Sequence, residues 1–287
     1  MLTTELIKLN NLQLAGKLVS EQLMLGIHQS KRFGYGIEFE QYRHYEAGDD
    51  PKRIDWKLYA RTDKHLVRES STESNFHLRF IIDLSGSMNY AENGVSRLQY
   101  CKILLASLAY LGYRQSDLMS LHALQNDDLQ TLVASGKQSF QRILYTLEKA
   151  QASGDWKNSN PKFPALNSNK QKEVIIIASD FLQVNNEWIQ LIKNLANPHR
   201  EVIIFQVLGK QELDFNLKGF YRFKDLESGK EVELQAESIK EEVRKNAENY
   251  LKNLKDALQI PFVHLVRTDL EAPIASVITE SIKSRKI

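Results

Sequence analysis

Six short runs rich in β-branched and aliphatic residues constrain the fold of this chain more than any other feature. Several are almost continuously apolar, which is the pattern of strands buried on both faces. Helical patterns separate most of them, and this alternation predicts a mostly parallel sheet with helices on both sides. Only a short polar turn separates the second run from the third, so these two predict a hairpin. The runs lie at 76–82, 117–124, 129–133, 173–179, 201–208 and 262–266.

Helical patterns fill most of the connections between these runs. Apolar residues recur at helical spacing along 98–111 and again along 239–258. Residues 5–28 can form one or two amphipathic helices, and residues 221–234 predict a second hairpin. The regular strand and helix pattern begins at residue 76, whereas the residues before it are crowded with charges, aromatic side chains and glycines.

Composition excludes several classes of protein. The 287 residues carry a net charge of +2, which gives no electrostatic argument for binding nucleic acid or an anionic membrane. A single cysteine, Cys101, excludes an intrachain disulfide framework and a cysteine-based zinc cluster. The amino terminus lacks the apolar core of a signal peptide, and no apolar stretch is long enough to span a bilayer. We therefore expect a soluble, cytoplasmic protein.

Acidic residues follow two of the predicted strands at the point where each strand ends. Asp83 ends the first strand, and Asp180 follows the fourth. In a doubly wound sheet of order 3-2-1-4-5-6 these strands are neighbours at the switch point, so the two carboxylates face each other. Left empty, such a pair would repel, or one carboxyl would have to take up a proton. A cation such as Mg²⁺, or Mn²⁺, between them resolves the conflict, and Ser85 and Ser87 add hydroxyl ligands. The alternative is that the serines cap the next helix while backbone amides hold Asp83.

The D-x-S-x-S motif that follows a buried strand, with a later strand ending in Asp, resembles the metal-ion-dependent adhesion site of von Willebrand factor type A domains. The resemblance covers about residues 76–287. It implies an α/β fold, a doubly wound, mostly parallel sheet of order 3-2-1-4-5-6, with an N-terminal extension. It also implies an open metal position that captures an acidic side chain of a partner protein. The metal ligands would be Asp83, Ser85, Ser87 and Asp180.

One feature of such adhesion sites is missing. The resembled domains supply a threonine from the loop between strands 3 and 4, but residues 151–162 contain no threonine. Ser153, Asn158 or Ser159 could take its place, or a water molecule could do so.

A second signature lies upstream of the strands. By residue type alone it is a clasp in which aromatic side chains pack on the sheet among paired charges, or a phosphate site made by its arginines. Together with D-x-S-x-S it resembles the Domain of Unknown Function 58 family, whose members are bacterial or archaeal. The resemblance implies an adaptor or co-chaperone of a MoxR-type AAA+ ATPase with an acidic-residue-bearing client. The residues of the signature are Arg43, Tyr45, Gly48, Asp49, Arg53, Ile54, Asp55 and Trp56.

Catalysis is the weaker alternative. A phosphatase of the haloacid dehalogenase type could use Asp83 as its nucleophile, but it needs a second Asp where this chain has Ser85. The same loop lacks the glycine that a G-x-S-x-G nucleophile elbow places before its serine. We therefore predict a non-enzymatic, metal-dependent interaction module, with 1–75 as an extension that packs on a domain formed by 76–287. A metal-free scaffold protein is the other alternative.

Overall fold

The computed structural model describes residues 2–29, 41–45, 54, 56, 59–60, 64–69, 76–126, 128–154, 172–182, 187–226 and 229–284. The described helices are α1 (Thr3–Lys8), α2 (Leu12–Gln29), α3 (Arg97–Arg114), α4 (Ser139–Lys149), α5 (Glu187–Leu195), α6 (Lys210–Asp214), α7 (Ala236–Ala257) and α8 (Ile274–Ser284), with a 3-10 turn at Gly86–Asn89. The described strands are β1 (Gln41–His44), β2 (Leu66–Glu69), β3 (His77–Asp83), β4 (Ala91–Glu92), β5 (Val95–Ser96), β6 (Leu118–Gln125), β7 (Asp128–Val133), β8 (Glu173–Ser179), β9 (Arg200–Leu208), β10 (Phe220–Lys224), β11 (Glu231–Gln235) and β12 (Val263–Asp269).

The central sheet has six strands in the order β12-β9-β8-β3-β6-β7. Numbered along the chain, this is the predicted order 3-2-1-4-5-6, so the predicted doubly wound α/β fold is confirmed. All neighbours are parallel except β7, which pairs antiparallel with β6 as the hairpin prediction required. The second predicted hairpin is also present, as β10 and β11. The near-continuous apolar runs follow from burial on both faces, and every residue of β8 is buried.

Helices cover both faces of this sheet. On one face Phe80 and Ile82 of β3 belong to the same buried cluster as Leu104 of α3. On the other face Ile81 of β3 shares a cluster with Ile192 of α5. This alternation along β3 is the two-residue period of a strand, and it divides the core into two layers.

Helix α7 is only partly packed, although its apolar stripe was predicted along its whole length. Leu254 lies in the core, as does Leu258 just past the end of the helix, but Ile239 and Val243 are only half-buried. The buried residues of the helix itself, Ala236 and Leu254, therefore lie near its two ends, and the stripe between them is only partly covered.

Helix α2 packs closely on α3. Ala15, Val19 and Leu23 are buried in the same cluster as the helices over the sheet. A Cβ atom at Gly16 would lie 2.9 Å from the Cβ of Ala106 and 3.1 Å from its carbonyl carbon, so only glycine allows this approach. Residues of the N-terminal segment thus share the core of the sheet domain. The predicted division of the chain at residue 75 stays a prediction, since much of that segment lies outside the described residues.

A polar cluster is buried toward the amino ends of the central strands, at the opposite end of the sheet from Asp83. Glu173 accepts hydrogen bonds from Arg79 Nη2 at 2.7 Å and from Arg200 Nε at 2.6 Å. Burial opposes ionisation of Glu173, but the two guanidinium groups more than offset it and lower the pKa of this carboxyl. The cluster is therefore built around one carboxylate held by two cations.

Two histidines extend this cluster along the sheet. Ser120 Oγ lies 3.2 Å from His77 Nε2 and 3.2 Å from His122 Nε2, and His122 Nδ1 lies 3.1 Å from Thr131 Oγ1. Burial, with Arg79 close by, lowers the pKa of His77 and of His122 to about 4. Both rings are consequently neutral at neutral pH.

This burial predicts an acid-labile fold. The pKa of His122 in the folded protein lies below its unfolded value, so its contribution to stability is present above about pH 6.5 and is lost as the pH falls toward 4. Lowering the pH from 7 to 5 should reduce the free energy of unfolding of the parent more than that of His122→Gln. The two reductions should differ by about 2 kcal/mol at most. Urea denaturation at both pH values measures the difference.

His199→Gln is the matched control, because His199 is exposed and only its backbone groups form hydrogen bonds. We expect this control to follow the parent at both pH values. An identical pH dependence in the parent and His122→Gln would contradict the prediction.

Candidate functional site

The two aspartates predicted to face each other lie at the carboxyl edge of the central sheet. Asp83 is the last residue of β3, and Asp180 directly follows β8, which is the parallel neighbour of β3. Both residues are 0% exposed. The strand order alone brings these carboxylates together, because parallel neighbours end on the same side of a sheet.

The loop after β3 carries the two serines of the motif. The backbone N–H of Ser85 donates to Asp83 Oδ1 at 2.9 Å, and the two serine Oγ atoms lie 3.0 Å apart. Ser85 is buried, whereas Ser87 is half-buried. The side chain of Ser85 does not cap the 3-10 turn that follows it, and the next long helix, α3, is capped by Ser96. The capping alternative therefore fails for Ser85, although a backbone amide does hold Asp83.

The surroundings of Asp83 disfavour the negative charge of its carboxylate. Its second oxygen, Oδ2, accepts a hydrogen bond from Ser179 Oγ at 2.6 Å. Burial and the neighbouring Asp180 raise the pKa of Asp83 to about 6, against the opposing effect of the hydrogen bonds from Ser179 and Ser85. The charged form of Asp83 is thus less favourable here than in water.

Asp180 is oriented by an unusual backbone conformation. The next residue, Phe181, has a φ of 57°, in the left-handed region that a bulky side chain rarely adopts. Its N–H donates to Ser179 Oγ at 3.0 Å, and its carbonyl accepts from the hydroxyl of Tyr250. The N–H of Leu182 donates to Asp180 Oδ1 at 3.2 Å. These contacts hold the loop after β8 in one geometry.

Arg97, the first residue of α3, is the part of the site that the sequence analysis missed. It is 1% exposed, and its Nη1 donates to Asp180 Oδ2 at 2.5 Å and to the carbonyl of Ser87 at 2.9 Å. Its Nη2 pairs with Glu212 of α6, and its guanidinium carbon lies 4.6 Å from the ring centroid of Tyr90. A cation in the first turn opposes the helix dipole, and this was the available signal that Arg97 has a carboxylate partner.

The serine loop packs tightly against two other loops. The N–H of Gly86 donates to the carbonyl of Gly154 at 2.9 Å. A Cβ at Gly86 would lie 2.7 Å from the carbonyl oxygen of Leu226, at the tip of the hairpin β10–β11, and 3.0 Å from that of Gly154. No side chain fits between these backbones, so glycine is required between the two serines.

The residues proposed to replace the missing threonine are only partly described. Ser153 lies near the site, but its Oγ accepts from Gln125 Nε2 at 2.9 Å. Asn158 and Ser159 lie outside the described residues. The structure thus assigns the hydroxyl of Ser153 to a contact with β6.

The chemistry of the donor set suits a hard cation. Oxygen ligands at right angles on Mg²⁺ lie about 3 Å apart, because each is 2.0–2.1 Å from the ion. The hydroxyls of Ser85 and Ser87 have this separation, at 3.0 Å, and the carboxylate of Asp83 is held beside them. Within the part of the chain that the structure describes, no three His, Cys, Asp or Glu side chains group as metal ligands, so an ion would depend on the serine hydroxyls.

The upstream signature differs from the predicted clasp at its tryptophan. Ile54 is buried, but Trp56 is 56% exposed and contacts Tyr59 edge to face, with ring centroids 6.0 Å apart. Tyr59 in turn contacts the ring of His65. The expectation that this aromatic ring packs on the sheet was therefore wrong. Gly48, Asp49, Arg53 and Asp55 lie outside the described residues, as do the side chains of β1.

The close approach of loops at Gly86 gives a testable consequence. Gly86→Ala should destabilise the protein by about 1–3 kcal/mol, because a methyl group would force the serine loop away from backbone atoms that cannot yield. Thermal or urea unfolding measures the loss. Gly136→Ala is the matched control, since a Cβ there meets nothing within 4 Å. Equal stability of the two variants would show that the loop has more freedom than its contacts indicate.

Comparison with known proteins places the chain in one family. The family described as "Protein of unknown function DUF58" matches residues 41–255. Uncharacterised proteins of Mycobacterium bovis and Mycobacterium tuberculosis are 25% identical over 226 residues, which is 77% of this chain and 70% of theirs. No helix within the described residues has the length and apolar character needed to cross a membrane.

Solved structures of other proteins are similar over most of the chain. BatB of Bacteroides thetaiotaomicron has a TM-score of 0.44 at 16% identity, covering 72% of this chain and 99% of that one. An aerotolerance-related membrane protein of Bacteroides fragilis scores 0.46 at 14% identity and covers 73% of this chain and 99% of its own. The SpRpn10 VWA domain scores 0.43 at 14% identity, over 71% and 94%. The doubly wound fold follows from the strand order of the central sheet.

Proposed function

This chain belongs to the DUF58 family, and on that premise we propose that it is a non-enzymatic protein-interaction module whose recognition site is the carboxyl edge of the central sheet. The observation that carries the proposal is the pair of serine hydroxyls 3.0 Å apart beside two fully buried aspartates. Ligands of doubly wound sheets bind at this edge, where the connections diverge to opposite faces.

The site binds Mg²⁺, or Mn²⁺, in this proposal, through Asp83, Ser85, Ser87 and Asp180. Asp180 and Glu212 pair with the guanidinium of Arg97, and Asp83 lies close enough to Asp180 for that charge to raise the pKa of Asp83. A cation beside Asp83 and Asp180 would relieve this repulsion. When bound, the ion would supply a Lewis-acidic position for a carboxylate oxygen, while the chain's own residues orient it and exclude water from one side.

The partner contributes an acidic side chain. Four protein residues cannot fill six positions around Mg²⁺, so at least one position is left for water or for a partner Asp or Glu. The resemblance to the DUF58 family supports a MoxR-type AAA+ ATPase as the assembly partner, with an acidic-residue-bearing client. In this role the protein is an adaptor or co-chaperone.

A hydrolase is the competing function, and two sets of residues argue against it. Asp83 accepts hydrogen bonds from Ser85 and Ser179, and it has no second aspartate two positions later. Ser120, His77 and Glu173 do approach one another in the order of a catalytic triad, with His77 Nδ1 at 3.7 Å from Glu173. However, burial lowers the pKa of His77 to about 4, so its ring is a poor base. Ser120 is itself buried on a central strand.

Calorimetric titration tests the metal site directly. We expect the parent to bind Mg²⁺ and Asp83→Ala to bind it at least tenfold more weakly, because a ligand and its charge are lost. The variant should remain folded in chelator, since the change also removes repulsion between Asp83 and Asp180. Asp256→Ala, a change at an exposed aspartate of α7, should bind Mg²⁺ as the parent does.

Titration of the MoxR-type ATPase of the same organism then tests the interaction. Mg²⁺ should strengthen binding to the parent, and Asp83→Ala should remove that dependence. Equal affinity of parent and Asp83→Ala, each with Mg²⁺ and with chelator, would contradict a metal-dependent interaction. Turnover of phosphate or carboxylate esters by the parent, lost in Asp83→Ala, would favour the hydrolase instead.

The exposed tryptophan supplies a separate prediction. Since Trp56 is 56% exposed, Trp56→Ala should cost less than about 1 kcal/mol of stability, well below the 3–5 kcal/mol typical of a buried ring. Exposed aromatic side chains are frequent centres of binding energy, so the same change should weaken binding of the ATPase. Urea unfolding and the ATPase titration measure the two effects. A large loss of stability with unchanged binding would contradict this prediction and show that Trp56 has a structural role only.

A further inference from the structure

Arg97 lies where three loops meet at the carboxyl edge of the sheet. Its Nη1 contacts the carbonyl of Ser87 in the loop after β3 and the carboxylate of Asp180 in the loop after β8. Its Nη2 pairs with Glu212, in the short helix after β9. One guanidinium therefore connects the ends of three adjacent parallel strands.

Burial of the Arg97 guanidinium is energetically unfavourable unless carboxylates compensate its charge. The side chain of Arg97 is 2% exposed, and its Nε has no hydrogen-bond partner. Burial opposes the charged form, but Asp180 and Glu212 more than offset it and raise the pKa of Arg97. Arg97 is thus a permanently charged, buried cation, and truncating it would leave the Asp180 carboxylate buried without its cation.

Arg97 connects the serine loop, through the carbonyl of Ser87, to Asp180 after β8, and Asp180 is also a ligand in the proposed metal site. We propose that Arg97 is a built-in cation that holds these loops together in the metal-free protein and competes with a divalent cation for Asp180. This inference rests on the proposed metal site, because the competition requires a second cation at the serine loop.

Two consequences follow from the charges. The site should keep its shape in chelator, since the bridge between Ser87 and Asp180 is part of the chain. A divalent ion beside Ser85 and Ser87 should also be repelled by the guanidinium, because two cations a few ångströms apart in a buried site interact strongly. Removing the guanidinium therefore frees an oxygen of Asp180 and removes a repulsion at the same time.

The test compares Arg97→Met with the parent, in chelator and in Mg²⁺. Methionine keeps much of the length of the side chain but carries no charge. We expect Mg²⁺ to raise the melting temperature of the parent less than that of Arg97→Met, because the parent binds the ion more weakly. Arg97→Met should melt lower than the parent in chelator, recover most of the loss in Mg²⁺, and bind Mg²⁺ about tenfold more tightly in calorimetry.

Three further variants make the result specific. Arg114→Met, at the exposed last residue of the same helix, should behave as the parent. Arg97→Met combined with Ser85→Ala should lose the recovery in Mg²⁺, because the rescuing ion needs the serine. Arg97→Lys keeps the charge but cannot contact three loops at once, so it should melt between the parent and Arg97→Met in chelator.

The outcomes separate this inference from the proposed function. Mg²⁺ binding by Arg97→Met but not by the parent would support the built-in cation, even though it would remove the metal dependence proposed for the parent. Arg97→Met that gains nothing from Mg²⁺, binds it no more tightly than the parent, or fails to fold even in Mg²⁺ would overturn the inference. The ATPase titration can succeed or fail independently of these measurements.

Discussion

The balance of buried charge at the carboxyl edge of the sheet is the constraint on which the surrounding structure depends. The strand order forces Asp83 and Asp180 together, and burying two carboxylates costs several kcal/mol unless each is compensated. Ser179 and Ser85 donate hydrogen bonds to Asp83, and the guanidinium of Arg97 pairs with Asp180. The start of α3, the serine loop and the helix α6 are all positioned by these contacts.

Buried charged clusters lie at both ends of the sheet. Toward the amino ends one carboxylate, Glu173, is held by two guanidinium groups, whereas at the carboxyl edge the guanidinium of Arg97 pairs with two carboxylates, those of Asp180 and Glu212. The first cluster is closed, since a ligand would have to displace a paired, buried ion. The second has a half-buried serine hydroxyl beside it, and its two aspartates lie close enough for Asp180 to raise the pKa of Asp83. The proposed cation site lies at this second end, which is where doubly wound sheets place their ligands.

Sequence reasoning predicted the fold and the adjacency of the two aspartates for identifiable reasons. Continuous apolar runs reveal buried strands, and the rule that parallel strands end together places Asp83 beside Asp180. Arg97 was missed because its role depends on where α3 begins, which no spacing in the motif encodes. The exposure of Trp56 was missed because the count of aromatic residues in a segment does not say which face they occupy. Likewise, the partial burial of the apolar stripe of α7 depends on the elements around the helix, and the spacing of its apolar residues does not reveal it.

The left-handed conformation of Phe181 helps to orient the buried carboxylate of Asp180. A bulky residue with φ of 57° costs on the order of 1–3 kcal/mol, and it persists only where its surroundings fix it. Here the ring is 1% exposed, Ser179 holds the N–H, and Tyr250 holds the carbonyl. The sharp turn that results leaves Asp180 with one oxygen toward the N–H of Leu182 and the other toward Arg97. Since Ser179 also donates to Asp83, a single hydroxyl side chain couples the strained turn to the opposing carboxylate. The strained turn therefore directs the carboxylate of Asp180 toward Arg97, while Asp83 keeps its hydrogen bonds.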